Sequence, residues 1–228
     1  MCLDLRGHGD SEWSESGDYR LEAFAHDLLE VCETLDRPPV LIGASLGGIA
    51  AMIAAGELQP EPFAAVIFVD VTPTMEMSGV EKITGFMSAH LDDGFASLEE
   101  AADVISEYLP HRKRPANLSG LAKNLRQGED GRYRWHWDPR FMSGDSRPSA
   151  SRDPDRLCSA VRNITAPILL VRGRMSELVS EESVRQFLDL VPHASYVDVA
   201  NAGHMVAGDD NDVFTSAIAE FLRTTKIG

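Results

Sequence analysis

The stretch Val40-Leu41-Ile42-Gly43-Ala44-Ser45-Leu46-Gly47-Gly48 joins a short apolar run to a serine flanked by small residues. The run 40–42 is typical of a buried parallel strand, and the small-residue segment 49–55 predicts the helix that follows. A G-x-S-x-G turn between a strand and a helix holds a serine in a tight, strained conformation with its hydroxyl exposed above the sheet. The pattern alone is a weak signal in a chain with 18 glycines, but the flanking strand and helix make it specific. We therefore predict that Ser45 is a nucleophile.

The predicted helix after Ser45 directs its N-terminal N–H groups towards the serine. Such groups stabilise the oxyanion that develops when a serine attacks a carbonyl. The backbone N–H of Leu46 is the expected donor.

A serine is a poor nucleophile without a base. The chain has seven histidines. His204 is the one that follows the last predicted strand and precedes the last helix, which is where folds with such a strand–serine–helix turn carry their catalytic base. A carboxylate must orient that histidine. Glu177, in the loop after the next-to-last strand, is the preferred candidate, and Asp70, at the end of the strand 65–70, is the alternative.

Strands and helices alternate along the rest of the chain, which predicts a mostly parallel sheet with helices on both faces. The predicted strands are 1–5, 40–42, 65–70, 167–171 and 196–199, and the predicted helices are 19–36, 49–55, 181–191 and 210–225. Residues 74–162 differ in character, and we interpret them as an inserted helical cap between two parts of the core, 1–73 and 163–228. Trp135 and Trp137 in this insertion either line an apolar substrate pocket or pack the cap.

Composition excludes several classes of function. The 228 residues carry a formal net charge of −15, which repels nucleic acid and anionic membrane surfaces. Three scattered cysteines provide neither a disulfide framework nor a metal-binding spacing, so we expect a cytoplasmic protein without metal. No apolar stretch approaches the length of a membrane span.

Four motifs occur in a fixed order, and together they carry a family resemblance: Asp4-Leu5-Arg6-Gly7-His8-Gly9-Asp10-Ser11, Gly43–Gly48, Arg172-Gly173-Arg174-Met175-Ser176-Glu177-Leu178-Val179 and Ala202-Gly203-His204-Met205-Val206. They resemble the bacterial α/β-hydrolase superfamily, near its esterase, lactonase and cofactor-free haloperoxidase-like branch. Epoxide hydrolases and haloalkane dehalogenases of this superfamily carry aspartate at the position of Ser45, so the serine argues against both activities. The resemblance implies no cofactor.

At its N-terminal side this chain departs from the pattern of the superfamily that it resembles. Members of the superfamily begin with three more strands and a His-Gly loop that supplies the second oxyanion donor. His8-Gly9 is not that loop, because it follows a different strand. We therefore expect an N-terminally truncated fold. Residues 1–5 would then lack their usual strand partner, and 40–42 would become an apolar edge. The chain is expected to be a monomer or a homodimer.

The expected function is hydrolysis of carboxylic esters, lactones or related small acyl compounds through a Ser45, His204 and Glu177 triad and an acyl-enzyme. Cleavage of carbon–carbon bonds, thioester hydrolysis and perhydrolysis use the same triad and stay open alternatives. A catalytically impaired or non-catalytic binding protein on the same fold is the rival from another class.

Overall fold

The computed structural model describes residues 1–110, 112, 114–150, 152–209 and 211–225. They form two compact units. Unit 1 comprises Met1–Tyr19 and Glu81–Ala150, and unit 2 comprises Arg20–Val80 and Ser151–Gly228. The segment Glu81–Ala150 lies within the predicted insertion, whose boundaries at 74 and 162 remain a prediction.

The secondary structure of the described residues alternates between strands and helices, as expected. The strands are β1 (Val40–Ala44), β2 (Ala65–Val69), β3 (Leu125–Gln127), β4 (Tyr133–Trp135), β5 (Ile168–Gly173) and β6 (Ser195–Val199). The α-helices are α1 (Leu21–Glu33), α2 (Leu46–Ile53), α3 (Met77–Ser88), α4 (Leu98–Tyr108), α5 (Ser119–Ala122), α6 (Arg140–Ser143), α7 (Pro154–Arg162), α8 (Glu181–Leu190), α9 (Val206–Asp209) and α10 (Asn211–Thr224). None of these helices is long and apolar enough to cross a membrane.

Unit 2 contains a parallel sheet with the strand order β1-β2-β5-β6. Side chains of a strand alternate between its two faces, and both faces of this sheet are covered. Ile67 and Val69 of β2 belong to one apolar cluster with Phe221 of α10. Phe68 points the other way and meets Phe187 of α8 edge to face, with 5.9 Å between ring centroids. The expected α/β class, with helices on both faces of a parallel sheet, is confirmed.

The edge of this sheet agrees with one expectation and corrects another. β1 is an edge strand, as predicted, and its Ile42 is 51% exposed. The strand predicted at residues 1–5 was wrong, because these residues have no regular secondary structure. Their carbonyl groups bond locally instead: the carbonyl of Asp4 accepts from Ser11 Oγ at 2.6 Å, and that of Leu5 accepts from the His8 amide at 2.9 Å.

Unit 1 is less helical than the sequence suggested. Besides α4 and α5 it contains an antiparallel hairpin of β3 and β4, which the prediction of a helical cap did not include. Leu125 of β3 packs with Phe95 and Ala101 in an apolar cluster, and Trp135 of β4 covers it. Each hairpin strand has three residues, which is too short for the alternation of a strand to show in the sequence.

A buried aspartate links the beginning of the chain to α6 within unit 1. The Asp138 carboxylate is 1% exposed and accepts a hydrogen bond from the Tyr19 hydroxyl at 2.5 Å. Arg140 lies against the same carboxylate, with Nη2 2.7 Å from Oδ2. This network orders residues 14–19, since Arg140 also donates to the carbonyl of Ser14 at 2.7 Å.

Candidate active site

The turn between β1 and α2 holds Ser45 in a strained backbone conformation. Its φ of 46° and ψ of −117° lie outside the regions that side chains normally allow. Two glycines make the turn possible. A Cβ on Gly43 would lie 2.7 Å from the amide nitrogen of Gly48, and a Cβ on Gly48 would lie 2.4 Å from Cγ1 of Val71. The predicted strand–turn–helix around Ser45 is therefore present, and Leu46 is the first residue of α2.

Asp70 follows β2 directly and is completely buried. Its φ is 48°, and its amide donates to the carbonyl of Val171 at 2.7 Å. The carboxylate receives hydrogen bonds from the end of the neighbouring strand β5 and from the loop after it: Oδ1 accepts from the Gly173 amide at 3.1 Å, and Oδ2 accepts from the Ser176 hydroxyl at 2.6 Å.

His204 lies in the loop after β6, and its side chain is 21% exposed. Its Nδ1 is 2.8 Å from Oδ2 of Asp70. Because a carboxylate oxygen accepts the bond, Nδ1 carries the proton, and Nε2 keeps a lone pair that can take up another proton. The loop is fixed from both sides, since the Gly203 amide donates to Asp209 Oδ2 at 2.9 Å and Gly173 packs against the Gly203 carbonyl.

This hydrogen bond corrects the order of the two candidate acids. The carboxylate at Nδ1 of His204 belongs to Asp70, the alternative, and not to Glu177, which was preferred. Glu177 is exposed, and its backbone carbonyl packs against Gly79. The physical reason is position in the sheet: β2 and β5 are neighbouring parallel strands, so Asp70 at the end of β2 lies at the same edge of the sheet as the loop after β5.

Ser176 also belongs to this cluster, although no role was predicted for it from the sequence. It lies within the Arg172–Val179 motif, one position before Glu177, and its hydroxyl reaches the same carboxylate oxygen as His204. A signal was available, because a serine in the loop after β5 can meet an acid at the end of the adjacent strand β2. That signal depends on the strand order, which the sequence alone does not fix.

Trp135 and Trp137 lie in unit 1, stacked with ring centroids 5.1 Å apart and planes 10° apart. Trp135 also contacts Phe95 edge to face at 5.3 Å. Among the described residues, neither indole N–H has a hydrogen-bond partner. These contacts show packing within the unit, and a place for either ring in a substrate pocket remains a prediction.

Comparisons with known proteins agree with this architecture. An alpha/beta hydrolase family model matches residues 1–217. The chain is 29% identical to the 3-hydroxybutyrate-oligomer hydrolase of Cupriavidus necator, covering 90% of this chain and 72% of that protein. It is 29% identical to the 2-(acetamidomethylene)succinate hydrolase of Mesorhizobium japonicum, with 97% and 77% covered.

Solved structures give the same result. The crystal structure of an E-2-(acetamidomethylene)succinate hydrolase superposes with a TM-score of 0.84 at 26% identity, covering 96% of this chain and 79% of that one. An esterase of Mycobacterium tuberculosis superposes with a TM-score of 0.75 at 26% identity, covering 96% and 74%. The chain belongs to the alpha/beta hydrolase family and is a hydrolase.

Proposed function

We propose that this hydrolase cleaves carboxylic esters, lactones or related acyl compounds through an acyl-enzyme on Ser45, with His204 as the base and Asp70 as the orienting acid. The observation that carries the proposal is the 2.8 Å hydrogen bond between His204 Nδ1 and a completely buried Asp70. It places the Nδ1 proton against the carboxylate, so that the neutral form of the imidazole has its lone pair on Nε2, which is the tautomer that a general base requires.

The chemistry follows from these groups. His204 Nε2 takes the proton of the Ser45 hydroxyl as the serine oxygen attacks the substrate carbonyl. The Leu46 amide donates to the oxyanion of the tetrahedral intermediate. His204 then returns the proton to the leaving group, and water repeats the sequence to release the acid. Asp70 stabilises the imidazolium in both steps without itself taking the proton.

The strained turn supports the role of Ser45. A non-glycine residue with positive φ costs of order 1–3 kcal/mol and persists only where the surrounding structure imposes it. The names of the relatives support the substrate class, because they include an esterase and a hydrolase of 3-hydroxybutyrate oligomers.

Reaction with a fluorophosphonate, followed by intact-mass and peptide mass spectrometry, tests the proposal. We expect one adduct on Ser45, none in the Ser45→Ala variant, and hydrolysis of p-nitrophenyl butyrate that the same substitution abolishes. A folded chain that forms no adduct and hydrolyses no ester would refute the proposal and favour a non-catalytic role. A panel of thioesters, diketones and peracid substrates then separates the alternatives.

A further inference from the structure

The Ser176 hydroxyl has all of its hydrogen-bonding capacity in use. A serine hydroxyl offers one donor and two acceptor lone pairs. The amides of Leu178 and Val179 both donate to Ser176 Oγ, each at 3.1 Å. Since these bonds fill both lone pairs, the hydroxyl proton has one direction left, and it points to Asp70 Oδ2 at 2.6 Å.

The hydrogen bond from Ser176 helps to orient the Asp70 carboxylate. Because an ionised carboxylate only accepts hydrogen bonds, Asp70 Oδ2 accepts from both the Ser176 hydroxyl and His204 Nδ1. Oδ1 is held by the Gly173 amide at 3.1 Å. Three donors from three separate positions therefore fix the rotation of the carboxylate.

We propose that Ser176 is a positioning residue for the catalytic acid, which fixes the rotation of the Asp70 carboxylate so that Oδ2 faces His204 Nδ1. This inference rests on the proposed function, because it assigns Ser176 a part in the same triad. The two amides that donate to Ser176 belong to the segment that leads into α8, so the loop after β5 reaches the acid through the Ser176 hydroxyl, while Gly173 at the end of β5 reaches it through its amide.

The proposal predicts which changes at position 176 matter. Ser176→Ala removes the donor, and Ser176→Cys keeps the size with a much weaker donor. Ser176→Thr keeps the hydroxyl, and a partly buried position can accept the added methyl group. We expect kcat for an activated ester to fall about 10-fold in the alanine and cysteine variants, the change that one lost hydrogen bond produces. KM stays unchanged, and threonine restores most of kcat.

A structural serine serves as the matched control. Ser180 caps α8 by accepting from the Ser183 amide at 3.1 Å, so Ser180→Ala removes a hydroxyl four residues away and weakens the fold without touching Asp70. Its kcat should equal that of the wild type. In the Asp70→Asn background, Ser176→Ala should cause no further loss, because the group through which it acts is gone.

Three kinetic results would each overturn the proposal: an unchanged kcat in Ser176→Ala, an equal loss in Ser180→Ala, or an additive loss in the double variant. The His204 Nδ1 proton gives a readout that needs no activity. Its NMR resonance should shift or broaden in Ser176→Ala and Ser176→Cys but not in Ser180→Ala, and an unaltered resonance in the first two would refute the proposal. If the wild-type protein neither reacts with fluorophosphonate nor hydrolyses esters, the proposed function fails, while this resonance still reports on Ser176.

Discussion

A Cβ built on Gly173 would lie 2.1 Å from the carbonyl oxygen of Gly203. The end of β5 and the loop that carries His204 therefore touch backbone to backbone, with no room for a side chain. The Gly173 amide also donates to Asp70 at 3.1 Å. One glycine thus positions two of the three proposed triad members at once.

Gly173→Ala should displace the histidine loop, because the contact is with backbone and no flexible side chain can move aside. We expect a loss of about 1–3 kcal/mol in the free energy of unfolding, as for other overpacked sites, together with slower reaction of Ser45 with fluorophosphonate. Gly85→Ala is the control, since a Cβ there meets nothing within 4 Å and alanine within α3 should add about 0.5–1 kcal/mol. Denaturant unfolding of both variants measures the difference, and equal stability would contradict the close contact.

The two candidate acids can be separated by paired amide substitutions. Asp70→Asn places an amide where His204 needs an acceptor, which favours the wrong tautomer, and losses of about 10⁴-fold in kcat are typical of that change in a serine triad. Glu177→Gln alters an exposed side chain and should leave kcat and KM unchanged. Steady-state hydrolysis of p-nitrophenyl butyrate checks both. A large loss in Glu177→Gln with an active Asp70→Asn variant would restore Glu177 as the acid.

The parts of the site that the sequence predicted are those with a local pattern. The strand, the small residues and the helix around Ser45 all lie within residues 40–53, so their order follows directly from the sequence. His204 follows the last strand, so the order of the predicted strands along the chain is enough to locate it. The choice between Asp70 and Glu177 depends instead on which strand lies beside β5, and that is a property of the folded sheet.

Other features had no local signal. The Ser176 hydroxyl bonds to Asp70, which lies 106 positions away in the chain. The three-residue strands β3 and β4 are stabilised by each other and by contacts such as those of Trp135 with Phe95, rather than by their own periodicity. The apolar residues at the start of the chain were interpreted as a strand, but a strand forms only where a neighbour pairs with it.

Trp135→Ala tests whether the aromatic cluster of unit 1 depends on this ring. Because Trp135 contacts Phe95 and stacks on Trp137, we expect a loss of about 3–5 kcal/mol in the free energy of unfolding. Trp13→Ala, at a position that is 50% exposed, should change stability by no more than about 0.5 kcal/mol. Thermal unfolding compares the two, and KM for esters of increasing acyl length tests the pocket hypothesis. A chain-length dependence altered by Trp135→Ala at unchanged stability would favour the pocket.

The buried Asp138 should make unit 1 sensitive to acid. Burial alone would raise the pKa of Asp138, but the hydrogen bonds from Arg140 and Tyr19 outweigh it and hold the pKa below its ordinary value. Such a group stabilises the fold fully above the pKa of aspartate in an unfolded chain, about 3.9. The stabilisation is lost as the pH falls through the lower pKa of the folded state.

Asp138→Asn should therefore lower the unfolding midpoint near neutral pH, and the difference from the wild type should shrink below about pH 4. Because Arg140 is 45% exposed and screened by water, we expect a loss of about 1–3 kcal/mol at neutral pH. Asp145→Asn makes the same chemical change at an exposed position of unit 1 and should leave the midpoint unchanged at both pH values. Thermal unfolding by circular dichroism at neutral and acidic pH provides the measurement. A difference between wild type and Asp138→Asn that persists unchanged in acid would show that the Asp138 carboxylate contributes through its shape and packing rather than through its charge.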